Sequence, residues 1–433
     1  MSSGAAGRIR RAVHFFGSGV LDQVLLSAVS FLAGFVLIRF TDDEAYGQFV
    51  LANSTILLFQ SAQGAWMSGP AGATAPKKDL AQRQLMLGSL GASQKRFLRR
   101  IAVALLALPA IGFLLHVCTG MIAAATAATI VASWSALERG WIRSLLLIYQ
   151  RPADVLQADV VYAVVMALGV AVVSRIHYAA GPCAICAMIL ASRAGELAAR
   201  RRTDPGLRWE ASAARPFWRE MRPLGLWASV GAVTYWLFAQ SYNYVLATRL
   251  DLTAVTAVNA TRLVLMPVFV FTLGFNMLLT PVTANWLATS GAPAMLRKLA
   301  LLTVAVLLGD LAYFAVMWPL RHWLITDMMR KSIADQDRLL ILWAVVAVIF
   351  LLREVLQAAL FAMYRVKSMA WLMGASAIVS LSLMWVGISW WGAAATLIGQ
   401  VVGEVINLVG LAWLLHVHMR ELARGASPPT VPS

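Results

Sequence analysis

The sequence predicts an all-α polytopic membrane protein, with about twelve transmembrane helices in two pseudo-symmetric six-helix lobes. Three observations predict it: the composition, the spacing of the apolar runs, and the alternation of basic residues between them. Of 433 residues, 60% are hydrophobic and only 13% are charged, against about 45–50% and 25% in an ordinary soluble domain. With a mean hydropathy of +0.73, the chain carries more apolar surface than a water-soluble globule can hide.

The apolar runs come first. Read between charged breaks, they place spans at 17–38, 46–70, 100–117, 120–138, 155–174 and 179–199. A second set falls at 223–248, 254–287, 299–319, 338–363, 368–388 and 391–417. Crossing a bilayer takes about 20 apolar residues, so twelve spans leave only short connections. The start of the chain, with Arg8, Arg10 and Arg11 ahead of the first span, reads as an uncleaved signal anchor.

The charge follows from where it sits. The chain holds 36 Lys+Arg against 20 Asp+Glu, a formal net charge of +16. Most basic residues fall in alternate segments: Arg8, Arg10 and Arg11; Lys77, Lys78, Arg83, Lys95, Arg96, Arg99 and Arg100; Arg139, Arg143 and Arg151; Arg193, Arg200, Arg201, Arg202, Arg208, Arg215, Arg219 and Arg222; Arg297 and Lys298; Arg365 and Lys367; and Arg420 and Arg424. The opposite connections hold only Arg39, Arg175, Arg249, Arg321, Arg330, Lys331 and Arg338. Such a bias puts the rich side and both termini in the cytoplasm. It is an orientation signal and not a nucleic-acid surface.

Domain organisation follows the same pattern. Residues 1–199 are expected to form an N-terminal lobe, 200–222 a basic cytoplasmic linker against anionic membrane lipids, 223–419 a C-terminal lobe, and 420–433 a disordered tail. Arg39 and Arg249 close the first span of each half, Pro70 and Pro281 end the second, and Tyr149 and Tyr364 follow the fourth, all at a near-constant separation. Gln23, Ser27, Ser30 and Gly34 recur at the same spacing as Trp236, Gln240, Asn243 and Ala247. A parallel duplication of six spans accounts for these matches, and such repeats place a substrate site between the lobes near the midplane.

Ionisable groups inside a span cost about 2.5–3.5 kcal/mol each on insertion scales, so each one marks a candidate function. Arg262 stands one turn from Asn259, and Arg353 stands beside Glu354; Gln60 and Gln63 lie one turn apart in the second span. A guanidinium offers a planar fork of donors to phosphate oxygens. Arg262, Arg353, Gln60, Gln63 and Asn259 are therefore the expected substrate-binding residues for an anionic headgroup. Asp22, Asp310 and Glu404 are the expected ion-coupling carboxylates. For Asp22 a structural role near the cytoplasmic face competes with that reading, as an interhelical pair does for Arg353 and Glu354.

Other chemistries find no support. There is no GxxxxGK[ST] loop for nucleotide hydrolysis, and the six histidines lack metal spacing. Cys183 and Cys186 form a CxxC without a second pair, and read as small apolar helix residues. The largest outside connection, 320–337, offers no room for an extracytoplasmic active site. No enzyme activity, cofactor or metal is expected.

The opening of the chain carries a resemblance. Arg39-Phe40, the acidic turn Thr41-Asp42-Asp43-Glu44 and then Ala45-Tyr46-Gly47 resemble the polysaccharide-biosynthesis (O-antigen and exopolysaccharide) flippases of the multidrug/oligosaccharidyl-lipid/polysaccharide exporter superfamily. Glu138-Arg139, Arg143, Arg151-Pro152, Asp159 and Tyr162 are similar to a second pattern of that group. In the second half Leu250-Asp251-Leu252 matches the turn, but Val255-Thr256-Ala257 replaces the Tyr-Gly pair. The resemblance implies two six-helix lobes, alternating access, a cationic cavity, and flipping of an undecaprenyl-diphosphate-linked oligosaccharide for surface polysaccharide such as lipopolysaccharide or exopolysaccharide. It implies as partners the lipid-linked oligosaccharide and a polysaccharide polymerase complex. Related lipid II flippases carry cavity arginines, one on the eighth span, and Arg262 matches that one by span alone. A drug or small-cation antiporter of the same fold is the alternative, and would need an acidic cavity.

Overall fold

The computed structural model describes residues 3–176, 178–363 and 366–423. Tyr364, Arg365 and the tail from 424 lie outside the described residues, as do the side chains of Arg8, Arg10, Arg11 and Pro281. Among the described residues there is no strand; the chain is a succession of helices.

The first half contains α1 (Ser3–Phe40), α2 (Asp43–Gln63), the short α3 (Gly69–Thr74), α4 (Leu80–Leu114), α5 (Gly120–Ile148), α6 (Pro152–Val173) and α7 (Ala180–Arg200). A π turn, Gly64–Ser68, joins α2 to α3. The second half contains α8 (Arg215–Arg249), α9 (Leu252–His322), α10 (Gln336–Ala362), α11 (Val366–Trp391) and α12 (Ala394–Ala423). Gly291, at φ +76° and ψ 169°, breaks the helical path of α9. That left-handed backbone falls to the one residue without a Cβ, so α9 supplies two successive spans.

Among the described residues ten stretches are long and apolar enough to cross a membrane, and the protein is a multi-pass membrane protein. Neither α2 nor α8 is among the ten, although the sequence places spans at 46–70 and 223–248. Both are polar without being highly charged. Asn53, Ser54, Thr55, Gln60 and Gln63 lie on α2, and Gln240, Ser241, Tyr242 and Asn243 on α8.

Local capping explains the acidic turn of the first half and its counterpart in the second. The Asp42 carboxylate accepts the Ala45 amide at 2.6 Å, and Asp251 accepts that of Ala254 at 2.7 Å. Each satisfies one of the bare N–H groups that open a helix. The capping residue is thus kept in both halves, while the Tyr-Gly that follows is not.

Two helices run beyond the spans expected on them. The third span is expected from 100, and its helix α4 starts at Leu80, where Met86, Leu87 and Leu90 are fully buried. Arg83, Lys95, Arg96, Arg99 and Arg100 are therefore helical residues. The fourth is expected to end at 138, and its helix α5 runs to Ile148, taking Arg139 and Arg143 with it.

The described chain divides into two compact units, residues 1–236 and 237–433, with the boundary inside α8. In the first, α5 packs on α4 and α7, α7 on α6, and α6 on α1. Its core joins Met67, Met86, Leu90, Trp141, Ile142, Leu145 and Val155. The connection after α7 is anchored here. Gln84 donates to Asp204 at 2.8 Å and the Gly206 amide at 2.9 Å, which holds the Asp204 carboxyl below the usual carboxylate range. In the second unit α10 packs on α9 and α12, and α12 on α11, around Leu279, Leu299, Leu351, Leu360 and Leu411.

The α11–α12 joint is made by small residues, as helix pairs in lipid require. Gly399 and Gly403 form a GxxxG face, and the Ser380 hydroxyl donates to the Gly399 carbonyl at 2.8 Å. A Cβ added at Gly399 would meet Met384 Cγ at 2.6 Å and the Ser380 carbonyl oxygen at 2.8 Å. Gly399→Val should therefore lower the thermal unfolding midpoint, at a cost of about 1–3 kcal/mol. Gly231→Ala, at a position with open space around it, should be neutral or slightly stabilising.

Candidate functional site

In the first unit, four buried carboxylates meet four arginines. Asp22 (α1), Glu138 (α5), Asp159 (α6) and Glu196 (α7) are each under 5% exposed. An unpaired charge in so apolar a setting would be costly, and every one of them is paired. Arg139 and Arg143 each donate to Asp159 at 2.8 Å, and Arg143 also reaches Asp22. Arg193 bridges Glu138 and Glu196 at 2.5 and 2.8 Å, and Arg200 holds the other Glu196 oxygen at 2.7 Å.

Aromatic faces complete the shell. The Arg139 guanidinium lies 3.6 Å from the centre of the Tyr162 ring, and Arg193 lies 4.8 Å from that of Trp134, whose indole donates to Glu138 at 2.8 Å. The structure thus places Asp22, an expected ion-coupling group, in an ion pair with Arg143 that ties α1 to α5. Glu138, Arg139, Arg143, Asp159 and Tyr162, noticed in the sequence only for the resemblance they carry, fall in two networks: Glu138 joins Arg193, Glu196 and Trp134, while Arg139, Arg143 and Tyr162 gather around Asp159.

Gln60 and Gln63, expected to line one face, differ in their surroundings. Gln63 donates to the Leu137 carbonyl at 2.7 Å and borders an apolar groove that does not include Gln60. One turn of helix does not give two side chains the same neighbour.

In the second unit the expected residues form two clusters. Arg262 on α9 donates to the Tyr242 hydroxyl at 3.1 Å; that hydroxyl donates to Asn259 at 3.1 Å, and Asn259 donates to Asn243 at 2.7 Å. Arg262 and Asn259 are thereby joined through Tyr242, which the sequence did not single out. The guanidinium stands 5.5 Å from the centre of the Trp343 ring and 5.9 Å from that of Phe269. Among the described residues no carboxylate pairs with Arg262, and its buried Nε has no hydrogen-bond partner.

The second cluster is ionic. Arg353, only 1% exposed, donates to Glu354 at 2.7 Å and lies 3.0 Å from Glu404 on α12. Asn276 donates to the other Glu354 oxygen. The Arg353 Nη1, the Gln400 Oε1 and the Asn407 Nδ2 are buried without a hydrogen-bond partner. Gln400 and Asn407 flank Glu404 at helical spacing, a signal present in the sequence. Arg353, expected to bind substrate, and Glu404, expected to couple ions, are thus partners in one buried triad. Phe269 stacks edge-on against both Trp343 and Phe350, 5.8 Å between centres, and Arg353 lies 4.9 Å from the Phe350 ring. An aromatic wall therefore stands between the two arginines. Asp310, on the later part of α9, is 4% exposed and has no ion pair among the described residues.

Two expectations test this geometry. Arg353→Met leaves Glu354 and Glu404 buried without their cation, and should cost about 3–5 kcal/mol of stability. Arg353→Met/Glu354→Gln/Glu404→Gln should recover much of that loss, read as thermal unfolding midpoints in nanodiscs. In the first unit, Asp159→Asn should likewise destabilise, since it frees two arginines at once, and Asp22→Asn less so, because Arg143 keeps Asp159.

No family model matches the sequence, and no curated protein matches it. Solved structures do. An inward-facing multidrug-resistance MATE family transporter of the MOP superfamily matches with a TM-score of 0.74 at 14% identity, over 94% of this chain and 96% of that one. The lipid II flippase MurJ, in an inward closed conformation, matches with a TM-score of 0.68 at 11% identity, over 93% and 87%. A MOP superfamily transporter from Pyrococcus furiosus, described by a reversed polarity of its binding pocket, matches with a TM-score of 0.63 at 13% identity, over 95% and 96%. The chain therefore has the fold of the MOP superfamily transporters.

Proposed function

We propose that the protein is an alternating-access flippase for an undecaprenyl-diphosphate-linked oligosaccharide, acting in surface polysaccharide biosynthesis at a bacterial inner membrane with both termini cytoplasmic. One observation carries the reading. Arg262 is a permanently charged side chain in an apolar span, held by a neutral tyrosine and not by a carboxylate. Its charge is left for a ligand, and a guanidinium with a free Nε suits a diphosphate. Tyr242, Asn259 and Asn243 fix its position.

The Arg353–Glu354–Glu404 triad plays a different part. With both glutamates ionised it carries one negative charge in excess, and Gln400 adds an unpartnered carbonyl oxygen beside it. It is the coupling element of this proposal, taking up a proton or a small cation on one side of the cycle and releasing it on the other. An ion-coupled antiporter for drugs or small cations is the second reading, favoured by Asp310, a buried carboxylate with no cation beside it.

The deciding experiment scores lipid-linked oligosaccharide and surface polysaccharide in a deletion strain. Accumulated lipid-linked glycan with loss of surface polymer, restored by the wild type but not by Arg262→Ala, is the expected result. Removing a charged hydrogen-bonding partner costs about 1.5–3 kcal/mol, so Arg262→Ala should lower transport roughly tenfold to a hundredfold, with Arg262→Lys in between. Unchanged glycan together with new sensitivity to cationic drugs, rescued by the wild type but not by Asp310→Asn, would overturn the flippase in favour of the antiporter.

A further inference from the structure

A groove in the first unit includes Gln63 and no residue of the Arg262 or Arg353 clusters. It encloses about 370 Å³ and is bounded by Phe59 and Ala62 of α2, Trp66 of the π turn that follows, Phe97 and Leu98 of α4, and Trp218 of α8. Its walls are apolar and partly open outward, with Phe97 61% and Phe59 42% exposed. Trp66 and Trp218 stack at 6.5 Å and 29° to form one side, and Trp218 is fixed by an indole bond to Ser93 at 3.2 Å. Gln94, 9% exposed, also lines the groove; its amide nitrogen donates to Leu137, and its carbonyl oxygen is buried with no partner.

One edge is cationic. On α8, Arg215 and Arg222 stand one helical turn before and after Trp218, with Arg219 beside it, and all three are exposed. None of these three has a carboxylate partner among the described residues. Glu220, the acidic residue within those turns, is taken by Lys78 at 2.9 Å. An apolar slot walled by aromatic rings and edged by unpaired cations has the complementarity of an anionic amphiphile with one slender chain.

We propose that this groove binds an anionic phospholipid of the leaflet facing the basic end of α8. One acyl chain lies between α2 and α4 against Trp66 and Trp218. The phosphate lies among Arg215, Arg219 and Arg222, where each basic side chain adds to the attraction of an anionic headgroup. The site is a lipid subsite of the first unit, built without any residue of the Arg262 cluster, and its occupancy does not depend on which substrate the protein moves.

Brominated lipids test this directly, because bromine quenches indoles that it touches. The full chain is placed in phosphatidylcholine nanodiscs containing brominated phosphatidylglycerol or, in parallel, brominated phosphatidylcholine. The part of the quenching due to Trp66 and Trp218 is the difference from Trp66→Phe/Trp218→Phe. Brominated phosphatidylglycerol should quench that part at a lower mole fraction than brominated phosphatidylcholine. Each cation removed in the series Arg215→Gln, Arg219→Gln, Arg222→Gln should raise the mole fraction for half-quenching, by up to roughly fivefold. Ala62→Phe, which fills the groove without changing charge, should weaken quenching by both lipids. Equal quenching by the two lipids in the wild type would reduce the site to ordinary annular lipid and overturn the proposal, as would an undiminished preference in the arginine variants at an unchanged thermal unfolding midpoint. None of these readouts uses transport, so the outcome stands apart from that of the flippase experiment.

Discussion

Burial of charge in an apolar slab is the constraint around which the rest of this structure is arranged. Water does not reach the interior of a span to solvate a carboxylate, so a cation from the protein takes its place. Among the described residues Asp22, Glu138, Asp159, Glu196, Glu354 and Glu404 each have one, and Asp310 has none. Asp159 illustrates the result: two arginines of α5 converge on one α6 side chain that is 2% exposed, and Arg143 extends the pairing to Asp22 on α1. Three helices are thereby fixed in rotation about their own axes. The arginines keep part of their surface outside and lay their planar heads on Tyr162, Trp134 and Trp209, where the ring face adds to the attraction.

The same joint recurs in the second unit with its signs exchanged. In the first, Glu138-Arg139 on α5 faces Glu196 on α7 through Arg193. In the second, Arg353-Glu354 on α10 faces Glu404 on α12. Both joints link the fourth and sixth long helices of a half, yet the order of acid and base along the chain is reversed. A charged joint between two helices constrains the sum of its charges and the distance between them, and tolerates exchange of the partners. The first joint is balanced. The second is short of one cation and keeps unpartnered polar atoms on Gln400 and Asn407.

Arg262 follows a different logic. Its partners are a hydroxyl and aromatic rings, which orient a guanidinium without cancelling its charge. The Phe269 and Trp343 rings pack against Arg262 and the Phe350 ring against Arg353, and among the described residues no carboxylate of the Arg353 triad pairs with Arg262. One unit thus holds a neutralised arginine and a charged one on neighbouring helices. Where charge plays no part, the helices close through absence of volume, as at Gly399 and Gly403. Two long helices with polar stretches in mid-course, α2 and α8, are the ones that hydropathy does not count.

The sequence by itself determined the class of protein, the number of long helices and most of their ends, because hydropathy and loop charge add up residue by residue without reference to neighbours. Aspartates 42 and 251 could be recognised at the starts of helices for the same reason, since a cap is a bond within one turn. Only the tertiary structure decided who pairs with whom. Helical spacing gives the face on which Arg353, Glu404 or Gln63 sits, but the partner comes from a helix tens or hundreds of residues away, at an axial rotation that no local property fixes. Hence α4 and α5 reach further than their apolar runs, because burial against the rest of the unit carries their charged turns. Hence also Arg353 and Glu404, which the sequence offers as two separate functions, become one buried triad, and Arg262 keeps its charge because its nearest neighbours in space are a tyrosine and a tryptophan.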